Sequence, residues 1–311
     1  MYYFVYLCTP TDNFFITMKH LFFLLIATVG IIFNTSCSSP KPDTGKPAVI
    51  TVTIEPLRYF TEAIAGDKFD VVSMVPDGSS PETYDPTPQQ LVALAQSKAY
   101  FQIGHIGFEQ TWMQRLQANA PHLLFYDMSE NVPLMEGTCH ETHQHNHDHN
   151  VDPHIWNSTK NAEIIVKNIY HALCQLDSIH QAYYAHRLDS VTTLIRETEK
   201  QVQALMQDAD RTFLIYHPAL TYFARDYNLQ QISIENNGKE PTPAHLQSLI
   251  RTSRENKARV IFVQQEFDQR NAETIAKELD VNVIPIHPLS YNWQEEMIKI
   301  ARALNHNHKT E

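Results

Sequence analysis

The sequence predicts an α/β protein built from two similar lobes with mostly parallel sheets, which are joined by one long linking helix. Short runs of β-branched residues alternate with helical stretches from residue 49 to residue 128, and the same alternation returns between residues 212 and 304. Between them, residues 181–208 form a helical stretch without proline or glycine. Such alternation is typical of parallel strands with crossover helices, so each region predicts one sheet.

The first 36 residues are predicted to be a signal peptide that is separate from the fold. Residues 21–33 are almost purely apolar, Lys19 and His20 precede them, and small residues follow. This order is typical of a secretory leader, and 13 apolar residues are few for a membrane span. Met18 would be a more ordinary start than Met1, so residues 1–17 are interpreted as a candidate upstream misannotation.

Cys37 is the predicted site of lipid attachment. The small residues before it resemble a bacterial lipobox, although Asn34 stands where that motif prefers Leu, and plain cleavage is the alternative. Residues 37–48, rich in Pro and Ser, then predict a flexible tether. A lipid on Cys37 would hold the protein on a membrane outside the cytoplasm, in the periplasm or at the cell surface.

Two further cysteines, Cys139 and Cys174, follow the leader and the lipid-bearing residue. They could pair as a disulfide in an oxidising compartment. Cys174 also falls on an apolar helical face with Ile165, Ile169 and Leu173, which favours a buried thiol instead.

Composition excludes several classes of function. The chain has 24 Lys and Arg against 35 Asp and Glu, with no basic stripe, so nucleic acid is an unexpected partner. Its 8 glycines form no GxGxxG or Walker-type loop for a nucleotide. A secreted zinc hydrolase with Glu82 as general base would need an open metal position, and the HExxH and GxSxG motifs are absent. The chain is therefore not expected to be an enzyme.

Histidine is unusually frequent in this chain, with 17 residues in all. Residues 139–150 hold a histidine-rich run without apolar anchors, which predicts a loop. Imidazoles with interleaved acids suit a borderline metal such as zinc, so the run is interpreted as a metal-capturing or sensing loop. A solvated insertion is the alternative. The run contains His140, His143, His145, His147 and His149.

Six metal-ligating side chains stand near the carboxyl ends of predicted strands, where parallel sheets bind ligands. Those of the first region are Glu82, His105 and His154, and those of the second are His217, Glu235 and His287. His154, His217 and His287 each adjoin a proline. Because proline fixes the local backbone, this repetition favours a preorganised site.

Five stretches together resemble the metal-binding solute-binding proteins of ABC importers, of the ZnuA and TroA type. They are residues 74–91 (MVPDGSSPETYDPTPQQL), 151–158 (VDPHIWNS), 213–225 (FLIYHPALTYFAR), 235–246 (ENNGKEPTPAHL) and 283–293 (VIPIHPLSYNW). The resemblance implies two lobes, a rigid linking helix, one divalent metal in the interlobe cleft and delivery to a membrane permease. The histidine-rich loop before the DPH element resembles the zinc-uptake branch.

The resemblance also implies a ligand set. His154 and His217 fall on positions of family ligands, whereas Glu82 stands where the family usually has His and His287 where it usually has an acid. The two departures together keep three imidazoles and one carboxylate, which suits Zn²⁺, while Mn²⁺ prefers more oxygen ligands. His105 is an accessory candidate, and Glu235 is expected to shape the cleft rim.

The expected function is capture of Zn²⁺ outside the cytoplasm and its delivery, by a monomer, to an ABC permease. The alternatives are an adhesin-type or metal-buffering lipoprotein of the same fold, or manganese as the cargo. The expected boundaries are a first lobe over residues 49–180, the linking helix over 181–208 and a second lobe over 209–311.

Overall fold

The structure is a computed structural model that describes residues 46–137, 151–236 and 238–305. The predicted signal peptide, Cys37, Cys139 and the five clustered histidines lie outside the described residues. Within those ranges, no helix combines the length and the apolar character that crossing a membrane requires. Cys174 is partly buried.

The first lobe contains a parallel four-stranded sheet in the order β2-β1-β3-β4. A buried strand β1 lies at its centre, and every crossover from one strand to the next contains a helix. The strands are β1 (Ala48–Val52), β2 (Phe69–Ser73), β3 (Ala99–Gln102) and β4 (Leu124–Asp127). The helices are α1 (Glu55–Ala65), α2 (Pro88–Ala95), α3 (Gly107–Asn119) and, after β4, α4 (Thr159–Leu176).

The second lobe repeats this arrangement with a parallel sheet in the order β6-β5-β7-β8. The fold class predicted from the alternating pattern is therefore confirmed. The strands are β5 (Thr212–Ile215), β6 (Gln230–Ser233), β7 (Val260–Gln264) and β8 (Asn282–Ile286). The helices are α6 (Thr221–Tyr227), α7 (Pro243–Glu255), α8 (Arg270–Leu279) and α9 (Trp293–Leu304).

One long helix, α5 (Gln181–Met206), connects the two halves after a short 3₁₀ turn at Ser178–His180. Its 26 residues rise about 39 Å at 1.5 Å each. One face is buried through Tyr184, Val191, Ile195, Thr198, Val202 and Met206. Because this face packs on α1 of the first lobe and on α9 of the second, the helix supports both lobes.

Two buried tryptophans join the lobes at the base of the cleft. Trp156 Nε1 donates to the carbonyl of Pro288 at 2.8 Å, and Trp293 Nε1 donates to the carbonyl of Trp156, also at 2.8 Å. Both indoles are fully buried, so these bonds form away from competing water. They fix the segment after His154 against the segment after β8.

The loop after β3 is held by the buried carboxylate of Glu109. It accepts the backbone N–H of Ile103 at 2.8 Å and that of Gly104 at 2.7 Å, as well as the hydroxyl of Thr53. The loop then passes through left-handed conformations at Gly104 (φ 80°) and His105 (φ 64°). Three donors on one carboxylate offset the cost of these conformations and fix where the loop ends.

Burial of Glu109 raises its pKa to about 7, although its hydrogen-bond donors oppose that shift. The folded protein thus binds a proton more tightly than the unfolded chain, and stability falls as the pH rises from about 4.5 to about 7. We expect Glu109→Gln to remove this pH-dependent part of the stability. The unfolding free energy of the wild type minus that of the variant should decrease by about 2 kcal/mol between pH 5 and 8.

Urea unfolding of the metal-free proteins at the two pH values measures this difference. Glu255→Gln, at the exposed end of α7, is the control for removal of one carboxylate. If the unfolding free energies of wild type and Glu109→Gln differed by the same amount at both pH values, the raised pKa of Glu109 would be contradicted.

Candidate metal centre

Three of the predicted ligands converge in the cleft. Glu82, His154 and His217 each offer one ligand atom, and these atoms all lie within 4.8 Å of one another. The two imidazole Nε2 atoms are 3.2 Å apart. The three residues come from the loop after β2, the segment after β4 and the end of β5, so residues far apart in sequence meet beyond the carboxyl ends of both sheets.

His154 is buried and held by its neighbour Asp152. Asp152 Oδ1 lies 2.9 Å from His154 Nδ1 and accepts the backbone N–H of His154, also at 2.9 Å. The hydroxyl of Tyr222 donates to the carbonyl of Asp152 at 2.7 Å, which ties this turn to α6. Burial alone would lower the pKa of His154, but the charge and hydrogen bond of Asp152 raise it overall.

His217 is held from three sides by residues of the second lobe. The side chain of Gln264 accepts the backbone N–H of His217 at 3.3 Å and donates to its carbonyl at 2.6 Å. Glu235 Oε1 lies 3.0 Å from His217 Nδ1, and the ring stacks on Phe267 with centroids 5.3 Å apart. The Nε2 atom is left facing the cavity.

Both histidines therefore belong to carboxylate–imidazole pairs. Asp152 and Glu235 are both buried, and each fixes its ring with Nδ1 protonated and Nε2 available as a ligand. This is the usual arrangement around a metal-binding histidine. Glu235 was expected at the cleft from the sequence, whereas Asp152 was assigned no role. The position of Asp152 two residues before His154 could have indicated that it supports the ring.

Glu82 is directed inward by the start of α3. Its Oε2 atom accepts the backbone N–H of Gly107 at 3.2 Å, and its Oε1 atom is shielded from solvent with no hydrogen-bond partner among the described residues. A side chain at position 107 would come within 2.7 Å of the Glu82 carbonyl oxygen, so only glycine permits this approach. Oε1 is thus a carboxylate oxygen without a compensating donor.

His287 lies apart from this group of three. Its Nε2 atom is 2.7 Å from Asp77 Oδ1 of the first lobe, and its backbone N–H donates to Glu296 at 2.7 Å. Its Nδ1 atom is shielded and has no partner in the described part of the chain. The role of His287 as a ligand remains a prediction, as does the accessory role of His105.

The three residues line a small cavity of about 20 Å³, together with Glu266, Trp156 and Phe267. This is close to the space of one water-sized particle. A wider opening of about 410 Å³ leads to it and includes His105 and Glu235. Gly137 and Val151, the described residues on either side of the histidine-rich segment, also line this opening.

The cavity lies between two α/β lobes. It is lined by two imidazoles, each paired with a carboxylate, and by a third carboxylate with a shielded oxygen. These features together define a class of protein. It is a two-lobed metal-binding protein. Oxygen and nitrogen donors of this kind hold transition metal ions.

The chain belongs to the family described as zinc-uptake complex component A, periplasmic, whose model matches residues 50–309. The high-affinity zinc uptake system protein ZnuA of Bacillus subtilis is 27% identical over 288 residues, which are 89% of this chain and 88% of that protein.

A manganese ABC transporter substrate-binding lipoprotein, PsaA of Streptococcus anginosus, is 26% identical over 281 residues, covering 86% of this chain and 88% of that protein. A crystal structure of ZnuA superposes with a TM-score of 0.76 at 34% identity, covering 82% of this chain and 96% of that one. The family resemblance predicted from the motifs is therefore confirmed.

The carboxylates behind the two imidazoles generate a first prediction for metal binding. Asp152→Asn and Glu235→Gln should each lower zinc affinity about 10–100-fold, because each ring loses the acceptor that fixes its tautomer and raises its basicity. Competition with a chromophoric chelator measures the change. Glu240→Gln, which removes an exposed carboxylate from the segment after β6, is the control. Equal affinities in all four proteins would contradict the proposed role of these pairs.

Proposed function

We propose that this protein binds one Zn²⁺ ion between its lobes, outside the cytoplasm, and delivers it to an ABC permease. The observation that carries the proposal is the approach of His154 Nε2 and His217 Nε2 to 3.2 Å. Each ring directs its Nδ1–H to a carboxylate, so the two Nε2 atoms approach each other through either one shared proton or one metal ion. Two nitrogens bound to one tetrahedral zinc at 2.0–2.1 Å lie about 3.3 Å apart, so a cation resolves this contact.

The donor set favours zinc over manganese. Two imidazoles and a carboxylate supply more nitrogen than oxygen, which suits zinc, whereas manganese prefers more oxygen donors. The family description and the name of the Bacillus relative both refer to zinc uptake. The name of the Streptococcus anginosus relative refers to manganese, so the cargo of this chain requires a direct test.

The proposed place of action follows from the predicted leader and lipid site. A signal peptide over residues 1–36 and a lipid on Cys37 would hold the protein at the outer face of a membrane. There it would capture zinc and present it, as a monomer, to the permease. The histidine-rich run and His105 would add weaker metal binding near the cleft.

Competitive titration of the metal-free protein with Zn²⁺ and Mn²⁺ tests the function. We expect one tight zinc site per chain and clearly weaker manganese binding, because manganese gains less from two imidazoles. Equal or tighter manganese binding would contradict the assignment of the cargo.

The clustered histidines can bind additional zinc, so the tight site must be located by substitution. His154→Ala and His217→Ala should remove the tight phase of the titration and leave the weaker phases. His122→Ala, which removes an exposed histidine whose ring contacts the carbonyl of Ala95, is the matched control. Persistence of the tight phase in both cleft variants would place the site elsewhere.

A further inference from the structure

Glu82 reaches the metal centre from the loop after β2, and the start of α3 is the element that directs it. The backbone N–H of Gly107 donates to Glu82 Oε2 at 3.2 Å, and that of Phe108 donates to the carbonyl of Pro81 at 2.8 Å. The rings of Phe108 and Tyr84 also pack together, with centroids 6.1 Å apart. The loop that carries Glu82 therefore follows the position of the first turn of α3.

The contact between α3 and this loop leaves no free space. A Cβ atom at position 107 would lie 2.7 Å from the carbonyl oxygen of Glu82, 2.7 Å from its Oε2 atom and 3.0 Å from its Cα atom. Two of these three are backbone atoms, which cannot rotate away as the end of a side chain can. A shift of α3 toward the loop would push Glu82, and a shift away from it would break the hydrogen bond of Gly107.

The position of α3 is set on its other side by Glu109, which belongs to the same first turn and is only 4% exposed. Its Oε1 atom accepts the backbone N–H of Ile103 at 2.8 Å, and its Oε2 atom accepts that of Gly104 at 2.7 Å. The hydroxyl of Thr53 donates to Oε1 as well. These donors directly follow β1 and β3, the two central strands of the first sheet. Glu109 thus joins the first turn of α3 to the centre of that sheet.

Only a carboxylate can make both backbone contacts. Each carboxylate oxygen accepts one N–H, whereas an amide has a single acceptor oxygen, so glutamine would leave one buried N–H facing an NH₂ group. The segment between these contacts and α3 is strained, because Gly104 and His105 have φ of 80° and 64°. Loss of one contact would therefore let this segment relax, and the start of α3 would move with it.

We propose that Glu109 is a positioning residue for metal capture, which holds Glu82 in the donor group by fixing the first turn of α3 on the sheet. It does not touch the metal and acts through the contact between Gly107 and Glu82. The two imidazoles of the group are held separately by Asp152 and Glu235, so Glu82 is the one donor of the three that depends on Glu109. This inference rests on the proposed zinc binding.

A double-mutant cycle with Glu82 tests the proposal. Glu109→Gln should lower zinc affinity about tenfold, as loss of a supporting residue does. In the Glu82→Ala background the same substitution should change the affinity by less than about twofold, because the ligand that it positions is already absent. Competition with a chromophoric chelator measures all four proteins. A loss of equal size in both backgrounds would indicate general destabilisation and would overturn the proposal.

The visible absorption spectrum of bound Co²⁺ reports the ligand geometry, which a purely structural role of Glu109 would leave unchanged. We expect Glu109→Gln to shift this spectrum toward that of Glu82→Ala. The matched control is Glu199→Gln on α5, because Glu199 also accepts buried hydroxyls, from Thr159 and Tyr227, but does not line the cavity. This control should keep the wild-type spectrum and affinity. A wild-type spectrum in Glu109→Gln would overturn the proposal.

Gly107→Ala tests the same path without changing the buried network, and it keeps the test decisive if Glu109→Gln folds poorly. Gly107 is not among the glycines with positive φ, so the backbone there accepts alanine. The added methyl group should displace Glu82, lower zinc affinity about tenfold or more and change the Co²⁺ spectrum. A wild type without a tight zinc site would overturn the proposed function. A tight wild-type site that Glu109→Gln or Gly107→Ala leaves unchanged would overturn this inference alone.

Discussion

The central constraint in this protein is the close approach of two imidazole nitrogens in the cleft. Asp152 and Glu235 hold the ring protons of His154 and His217 on the nitrogens that face away from the cavity. The two Nε2 atoms then face each other at 3.2 Å, a separation that either one shared proton or one metal ion accommodates. Because both rings are fixed by carboxylates, the pair is held in place for a cation.

The scaffold maintains this arrangement through contacts that fix both lobes near the site. Trp156 and Trp293 exchange buried hydrogen bonds with the backbone on the opposite side of the cleft base. Gln264 holds the backbone of His217, and the long helix α5 packs on both lobes. Because these elements are continuous and buried, the site is preorganised and any closure on metal binding should be small.

Much of the fold and part of the site could be predicted from the sequence. Alternation of β-branched runs with helical stretches predicts both parallel sheets, and the linking helix expected over residues 181–208 is Gln181–Met206 in the structure. His154 and His217 could be predicted because each follows a strand and adjoins a proline. Glu82 was expected near the end of a strand, the family motif placed it in the ligand set, and the structure brings it to the same group.

The remaining features depend on contacts that the sequence does not encode locally. The contact between His287 and Asp77 joins residues 210 positions apart and requires the lobes to be close. Glu266 stands in the polar turn QQEFDQ together with Asp268. The sequence alone does not show that Glu266 lines the cavity whereas Asp268 is exposed to solvent. In the structure, Phe267 of this segment stacks on His217 at the cleft.

Zinc binding between the two imidazoles is best tested by a crystal structure of the protein loaded with half an equivalent of zinc, with anomalous data at the zinc edge. We expect one dominant anomalous peak in the small cavity, bonded to His154 Nε2, His217 Nε2 and the Glu82 carboxylate. A dominant peak elsewhere, with the two Nε2 atoms still in direct contact and no metal between them, would contradict it.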